Sequence, residues 1–182
     1  MKTFIEIGTC DFDTLRPLCD KGWRGVMVEA WCPYLQNIPD PENLTKVCVA
    51  VGPENGTAKF WKVKDDVLEN SARDYRGMGT IRNNSVLETN SYYEDKVEWY
   101  DVNVTTFDTI MSKFGITEID YLKLDTEGMD FKILKTIDYE KYDIKVIKCE
   151  TKFVFKEELF SFLDEKGYHI ESFPNDIIAI KN

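Results

Sequence analysis

Short apolar segments alternate with amphipathic segments along most of the chain, and this alternation constrains the fold more than any other feature. Buried strands are predicted at residues 4–7, 25–29, 46–51, 121–124 and 144–149. Helices are predicted at residues 14–21, 33–38, 106–114, 128–136 and 156–165. Because strands interleaved with helices form right-handed crossovers, we expect an α/β protein with a mainly parallel sheet. A turn at Pro174-Asn175 predicts a closing antiparallel hairpin.

The domain organisation follows from length and pattern. A chain of 182 residues without a linker or repeat predicts one domain over residues 1–182. Residues 57–103 interrupt the alternation as an irregular insertion, which is strand-like at both ends and polar in the middle, where Arg73, Arg76 and Arg82 surround Gly77. Since binding residues concentrate on loops, this insertion is a candidate lid; a mobile polar surface loop is the alternative.

The composition limits the partners. A net charge of −10 makes nucleic acid an unlikely partner, because its phosphates are bound mainly by Lys and Arg. We therefore expect a small-molecule or glycan substrate. The sequence has no apolar run that would span a membrane, and its first residues lack a secretory signal. These features predict a cytoplasmic protein with reduced cysteines.

The end of the first strand is a candidate cofactor loop, because ligands of an open parallel sheet bind at the carboxyl ends of its strands. Glu6 is followed there by Gly8-Thr9-Cys10-Asp11. A glycine allows a sharp turn and a close approach of the backbone to a ligand, although an ordinary strand-to-helix turn is the alternative. The G-x-G-x-x-G pattern of pyrophosphate-binding loops is absent. Glu6 and Asp11 would repel a phosphate and suit a cationic cofactor.

Glu29 ends the second strand, 21 residues after Gly8. A carboxylate at this spacing is typical of side chains that accept the hydroxyls of a ribose in nucleotide-binding folds. A solvated charge at a strand end is the alternative.

Carboxylates also follow the two later core strands. Asp125 and Glu127 come after the apolar strand that contains Lys123, and Glu150 ends the next strand. Such acids are costly beside a buried strand unless they are paired or used. Asp125, Glu127 and Lys123 are therefore candidate catalytic residues, and Asp125 with Glu150 is a candidate metal site. Acids that complement a helix N-terminus, and a plain surface charge at Glu150, are the alternatives.

Taken together, these strand ends resemble those of the FkbM family of S-adenosylmethionine (SAM)-dependent methyltransferases. The most specific segment is residues 119–134, IDYLKLDTEGMDFKIL, which is similar to the family pattern I-D-x-L-K-I-D-x-E-G-x-E-x-x-V-L. The preceding Val-Thr-Thr-Phe-Asp of residues 104–108 also resembles a family element. Residues 4–15, 26–34 and 47–56 look like its first three cofactor-binding segments.

The resemblance implies a Rossmann-like class I methyltransferase fold with a seven-stranded sheet of order 3-2-1-4-5-7-6, in which the last strand is antiparallel. It implies SAM as the methyl donor and a hydroxyl on a sugar or metabolite as the acceptor. By position, Glu6, Gly8 and Thr9 would face the methionine part of SAM, and Glu29 would bind its ribose.

Further positions carried over from the family are Ala30 and Ala50, which would flank the adenine, and Asp125, which would lie near the transferring methyl group. The chain departs from the family at Phe12, where a second glycine is usual, and at Asp130, where Glu is usual. Because the first strand begins at residue 4, we expect a homo-oligomer as one way to cover the substrate.

Several hypotheses of mechanism and function stay open. Asp125 or Glu127 is the candidate general base, with Lys123 orienting it. A divalent metal held by Asp125 and Glu150 is the alternative activator of the hydroxyl. A catalytically inactive SAM-binding or nucleotide-binding module and a nicotinamide-dependent oxidoreductase are the rival functions, the latter disfavoured by the missing glycines.

Overall fold

A computed structural model describes residues 1–12 and 14–182, and twelve strands and six α-helices lie within them. The strands are β1 Thr3–Ile7, β2 Arg24–Glu29, β3 Leu44–Cys48, β4 Ala50–Val51, β5 Gly56–Val63, β6 Val97–Thr105, β7 Glu118–Ile119, β8 Tyr121–Leu124, β9 Asp143–Ile144, β10 Val146–Glu150, β11 Tyr168–Ser172 and β12 Asp176–Lys181. The helices are α1 Cys32–Asn37, α2 Asp65–Glu69, α3 Val86–Thr89, α4 Phe107–Phe114, α5 Asp130–Thr136 and α6 Lys156–Glu165. Short 3-10 helices lie at Arg16–Lys21, Arg76–Met78 and Ser91–Tyr93.

Seven strands form a mixed sheet in the order β11-β12-β10-β8-β1-β2-β3. Its β3-β2-β1-β8-β10 part is parallel, and β12 is antiparallel to both β10 and β11. The closing antiparallel hairpin is therefore confirmed. In the numbering of the whole chain the expected order 3-2-1-4-5-7-6 does not hold, because five strands outside this sheet intervene. The expected order matches only when the seven strands of this sheet are renumbered 1 to 7 in chain order.

The two faces of the sheet bury different clusters, as the alternation of side chains along a strand requires. Ile5 and Ile7 of β1 lie in the larger core, which includes residues of α4, α5 and α6. Phe4 of β1 packs on the other face with residues of the first 3-10 helix and α1. Two predicted elements differ in the structure. The helix predicted at residues 14–21 is a 3-10 helix, and the strand predicted at 144–149 is divided at Lys145 into β9 and β10.

The insertion at residues 57–103 is more regular than the sequence suggests. Its two ends are strands, as predicted, and β5 pairs with β6 in antiparallel register from Gly56↔Val104 to Val63↔Val97. β6 also pairs with β4, which makes a second sheet of three strands that was not predicted. A bridge between Trp61 and Thr80 folds the middle of the insertion back onto β5.

Cys32 and Cys48 form a disulfide across a Cα–Cα distance of 5.2 Å, so the prediction that all cysteines are reduced is wrong. The bridge joins the first residue of α1 to the last residue of β3, and both cysteines are exposed. Disulfides persist mainly in oxidising surroundings, so this bridge does not support the predicted cytoplasmic location, which stays a prediction. Among the described residues, no helix is long and apolar enough to cross a membrane.

Replacing both Cys32 and Cys48 by Ser is expected to lower the free energy of unfolding by about 2–3 kcal/mol, because the bridge restrains the unfolded chain between residues 16 apart. Urea unfolding without reductant measures the difference. Dithiothreitol provides the control, since it should remove the difference by opening the bridge in the wild type. Equal stabilities without reductant would contradict the prediction.

Candidate active site

A cavity of about 310 Å³ opens at the carboxyl ends of the central strands. Its walls come from the loops after β1, β2, β8 and β10, from the turn before β12 and from the insertion. The volume lies at the lower end of the range for small-molecule sites. The position is the one that an open parallel sheet offers to a ligand.

Gly8 places the loop after β1 directly against the loop after β8. Its φ of 78° is left-handed, and its N–H donates to the carbonyl oxygen of Val28 at 2.9 Å. A Cβ at Gly8 would lie 2.0 Å from the carbonyl oxygen of Asp125, which no other side chain tolerates. Gly8 and Asp125 therefore meet at the cavity wall, and Cys10, with a positive φ of 51°, also lines it.

Glu29 lines the cavity and orients the loops on either side of it. Its Oε2 accepts from the N–H of Cys10 at 2.8 Å, and its Oε1 accepts from the N–H of Trp31 at 2.9 Å. Burial raises the pKa of this carboxyl, while the backbone donors lower it. Each carboxylate oxygen can accept a further hydrogen bond, so Glu29 is also equipped to bind ribose hydroxyls.

An apolar part of the cavity lies next to Glu29. Ala30 follows it directly, and Val49, Ala50 and Val51 line the same region from the end of β3 and from β4. Small and aliphatic side chains leave a flat, dry surface that suits a purine ring. Ala30 and Ala50, which the resemblance assigns to the adenine, both lie in this apolar part of the cavity.

Glu6 and Lys123 do not line the cavity. They are partners in the β1–β8 register and lie on the face opposite the larger core. Lys123 Nζ donates to Glu6 Oε1 at 2.8 Å, and Glu6 Oε2 accepts from the N–H of Leu15 at 3.1 Å. This buried pair anchors the chain as it returns from the first loop. Lys123 also lies 3.7 Å from an oxygen of Asp125.

Thr9 and Asp11 of the first loop also lie outside the cavity lining. Thr9 is fully buried, and its hydroxyl has no hydrogen-bond partner among the described residues. Asp11 accepts from Arg76 Nη1 at 2.9 and 3.0 Å and from Asn37 Nδ2 at 3.3 Å. The insertion is therefore tied to the candidate cofactor loop.

Asp125, Glu127 and Glu150 form a carboxylate cluster whose oxygens lie within 4.8 Å of one another. Burial is the largest cause that raises the pKa of each, and the neighbouring carboxylates add to it. Glu150 is the extreme case, with a pKa of about 8, and its Oε2 has no partner in the described part of the chain. Lys152 partly offsets the charge of Glu127 at 3.3 Å.

Asp130 holds the loop that carries this cluster. Its carboxylate accepts from the hydroxyl of Thr126 at 2.9 Å and from the N–H of Gly128 at 3.3 Å. Asp130 is 1% exposed, and burial raises its pKa to about 6. Asp at this position thus reaches the loop, although the family pattern favours the longer Glu.

The insertion forms one wall of the cavity through Arg76, Gly77, Gly79, Thr80 and Ile81. The hydroxyl of Thr80 donates to the carbonyl oxygen of Glu127 at 3.1 Å, which holds the insertion against the loop after β8. The arginines and glycines of this segment were the sequence signal for a lid, whereas nothing local marks Thr80.

Two further groups at the cavity were not predicted. Tyr34 of α1 lines it, and its buried hydroxyl has no partner among the described residues. Asn175, in the turn before β12, and Asp176, the first residue of β12, also line it. The sequence predicts the hairpin turn here, and the turn reaches the cavity because β12 begins antiparallel to β10 at the point where β10 ends.

The sheet and the acidic cavity at the ends of its central strands define an α/β protein of the methyltransferase-like class. The chain belongs to the FkbM methyltransferase family, because the family model for the methyltransferase FkbM domain matches residues 6–170 of 182. This match confirms the resemblance found in the sequence. Searches of curated proteins and of solved structures found no significant match.

Glu150 predicts a pH-dependent stability. Its folded pKa of about 8 lies above the ordinary value of 4.5, so the folded protein holds a proton that the unfolded chain releases. The stabilisation is complete below about pH 4.5 and is lost as the pH rises through about 8. Relative to the neutral Glu150→Gln variant, the wild type should lose about 1–2 kcal/mol of unfolding free energy between about pH 5 and 8.5, after allowance for solvent screening.

Urea unfolding in buffer with EDTA at several pH values measures this difference. Glu157→Gln, which changes an exposed glutamate of α6, is the matched control and should follow the wild type. A constant difference between Glu150→Gln and the wild type across the pH range would contradict the assignment.

Proposed function

We propose that the protein is a SAM-dependent methyltransferase that methylates a hydroxyl on a sugar, a glycan or a small metabolite. The charge of the cavity is the observation on which the choice of SAM as the cofactor rests. Its ionisable lining residues are five carboxyl groups, Glu29, Asp125, Glu127, Glu150 and Asp176, and one cation, Arg76. Such a lining favours a cationic sulfonium and disfavours the diphosphate of a nicotinamide cofactor.

The residues that line the cavity offer donor chemistry that suits SAM. Gly8 allows the first loop to form one wall, because a Cβ there would lie 2.0 Å from the carbonyl oxygen of Asp125 and would push the two loops apart. Glu29 offers carboxylate oxygens for the ribose, and Ala30 and Ala50 offer an apolar surface for the adenine. These contacts support the cofactor-binding role of the loop after β1, including Cys10 at the cavity wall.

When bound, SAM supplies an electrophilic methyl group on a sulfonium. The protein aligns the acceptor oxygen with it, and such alignment can contribute about 7–11 kcal/mol. Asp125 or Glu127 accepts the hydroxyl proton, since both line the cavity and burial raises the pKa of each, which makes each a stronger base than an exposed carboxylate. Lys123 orients Asp125 from outside the cavity at 3.7 Å.

A divalent metal is the alternative activator in the same place. Asp125, Glu127 and Glu150 bring carboxylate oxygens together, as hard cations such as Mg²⁺ require. A cation there would lower the pKa of the acceptor hydroxyl and leave Asp125 without a role as base. The proposal has two further parts. Residues 57–103 act as a lid over the cavity, and the protein assembles as a homo-oligomer.

SAM and its product S-adenosylhomocysteine (SAH) are expected to stabilise the folded protein. Ligand at about 100 times its Kd adds about 2.7 kcal/mol, or roughly 5–10 °C in Tm for a chain of this size. Glu29→Gln should weaken SAH binding about tenfold by impairing ribose recognition. Thermal shift and calorimetry measure both effects.

The matched control for that experiment is Glu42→Gln, which changes an exposed glutamate before β3 and should bind SAH like the wild type. NADH serves as the rival ligand. Binding of NADH without binding of SAH would replace the proposal with an oxidoreductase, and binding of neither would reject it.

Asp125→Asn is expected to reduce kcat for methyl transfer about 10²–10⁴-fold, because the amide cannot accept the proton. The assay follows labelled methyl transfer from SAM to a panel of mono- and oligosaccharides and hydroxylated metabolites. The Kd for SAH should change less than about threefold, since Asp125 acts on the acceptor. Asp101→Asn, on the exposed part of β6, is the control.

An assay with EDTA distinguishes activation of the acceptor hydroxyl by a carboxylate base from activation by a divalent metal. Activity that persists in EDTA supports proton transfer to Asp125, and activity that is lost and then restored by Mg²⁺ supports the metal. Normal turnover in both Asp125→Asn and EDTA would reject both versions. Binding of SAM without transfer to any acceptor in the panel would favour the inactive binding module.

A further inference from the structure

Arg76 is the single cation among the described residues that line the cavity. Its side chain is 39% exposed, so a ligand in the cavity can reach it. It comes from the insertion, and the five other ionisable lining residues are carboxyl groups from the sheet ends and the start of β12. A cation placed in an acidic cavity is useful when the ligand carries a negative group as well as a positive one.

The guanidinium of Arg76 is held in a fixed orientation by three neighbours. Asp74 accepts from Nε at 3.1 Å and from Nη2 at 2.7 Å, which is a bidentate contact. Asp11 accepts from Nη1 at 2.9 Å, and the ring of Phe12 lies 5.1 Å from the Cζ atom. The planar group is thus preorganised, and less entropy is lost when it binds.

The hydrogen-bond inventory of Arg76 leaves capacity for a ligand. A guanidinium has five N–H donors. Asp74 accepts from the N–H of Nε and from one N–H of Nη2, and Asp11 accepts from the N–H groups of Nη1. At least one N–H of Nη2 therefore has no acceptor among these contacts. A carboxylate that met this group would form a charge-assisted hydrogen bond.

The methionine end of SAM carries an α-ammonium group and an α-carboxylate side by side. Arg76 is the lining group that complements the carboxylate, and the carboxyl groups of the lining complement the ammonium group. We propose that Arg76 binds the α-carboxylate of SAM. This inference rests on the proposed function and adds a specificity residue from the insertion to it.

The assignment predicts which part of the ligand the arginine recognises. SAH carries the amino-acid end, whereas 5′-methylthioadenosine keeps the adenosine and the thioether and lacks that end. Arg76→Gln should raise the Kd for SAH about 10–100-fold and change the Kd for methylthioadenosine less than about twofold. Calorimetry with both ligands on the full chain measures the two values.

Three variants make the result specific. Arg76→Lys should recover part of the SAH affinity, because a point charge replaces the planar group. Arg73→Gln, an exposed arginine three residues earlier, should bind both ligands like the wild type. Glu29→Gln should weaken both ligands together, since both contain the ribose.

Several outcomes would overturn the inference. An equal loss of both ligands in Arg76→Gln would make the arginine a structural tie between the insertion and the first loop. Unchanged SAH binding would show that it does not contact the cofactor. A wild type that binds neither ligand would instead reject the proposed function, and this inference would fall with it.

Discussion

The close contact between the loops after β1 and β8 brings two walls of the candidate site together. Gly8 leaves no room for a Cβ because the carbonyl oxygen of Asp125 occupies its place, 2.0 Å away. The two strands are neighbours in parallel register, so their loops leave the sheet at the same edge. A bulky side chain at this point would separate the cofactor loop from the candidate base, and the chemistry needs both in one cavity.

The carboxyl groups in and around the cavity divide into two groups according to their partners. Glu6, Glu29 and Asp130 accept hydrogen bonds from backbone N–H groups or from the ammonium group of a buried lysine, and they hold the loops in place. The second group faces the cavity with few donors, and Glu150 shows this most clearly through its unpartnered Oε2. Carboxylates without donors have raised pKa values and are suited to accept a proton. The polar interior thus separates the groups that build the site from those able to react in it.

Much of this arrangement was predictable from the sequence because it is local. Glu29 follows Gly8 at a known spacing, and Asp125 directly follows an apolar strand, so the sequence predicts both at strand ends, and both line the cavity there. Lys123, which the sequence grouped with the candidate catalytic residues, does not line the cavity. It alternates with Leu122 and Leu124, which lie in the larger core, and its side chain therefore lies on the face away from that core.

What the sequence did not predict depends on contacts between distant segments. The disulfide requires Cys48 to lie beside Glu29 in the β2–β3 register, which brings it close to the start of α1. Thr80 reaches the loop after β8 only because the insertion folds back onto β5. Spacing along the chain does not encode either contact, since both depend on pairing between strands.

The insertion joins the two ends of the cavity. Arg76 ties it to Asp11 beside the cofactor loop, and four residues later Thr80 ties it to Glu127 in the loop that carries the carboxylate cluster. The short segment between them, with Gly77 and Gly79, forms the wall that separates these two contacts. A ligand that displaced Arg76 from Asp11 would act on the same short segment that Thr80 holds against the loop after β8. In the proposed function, this segment links recognition of the cofactor to access of the acceptor through a few residues outside the main sheet.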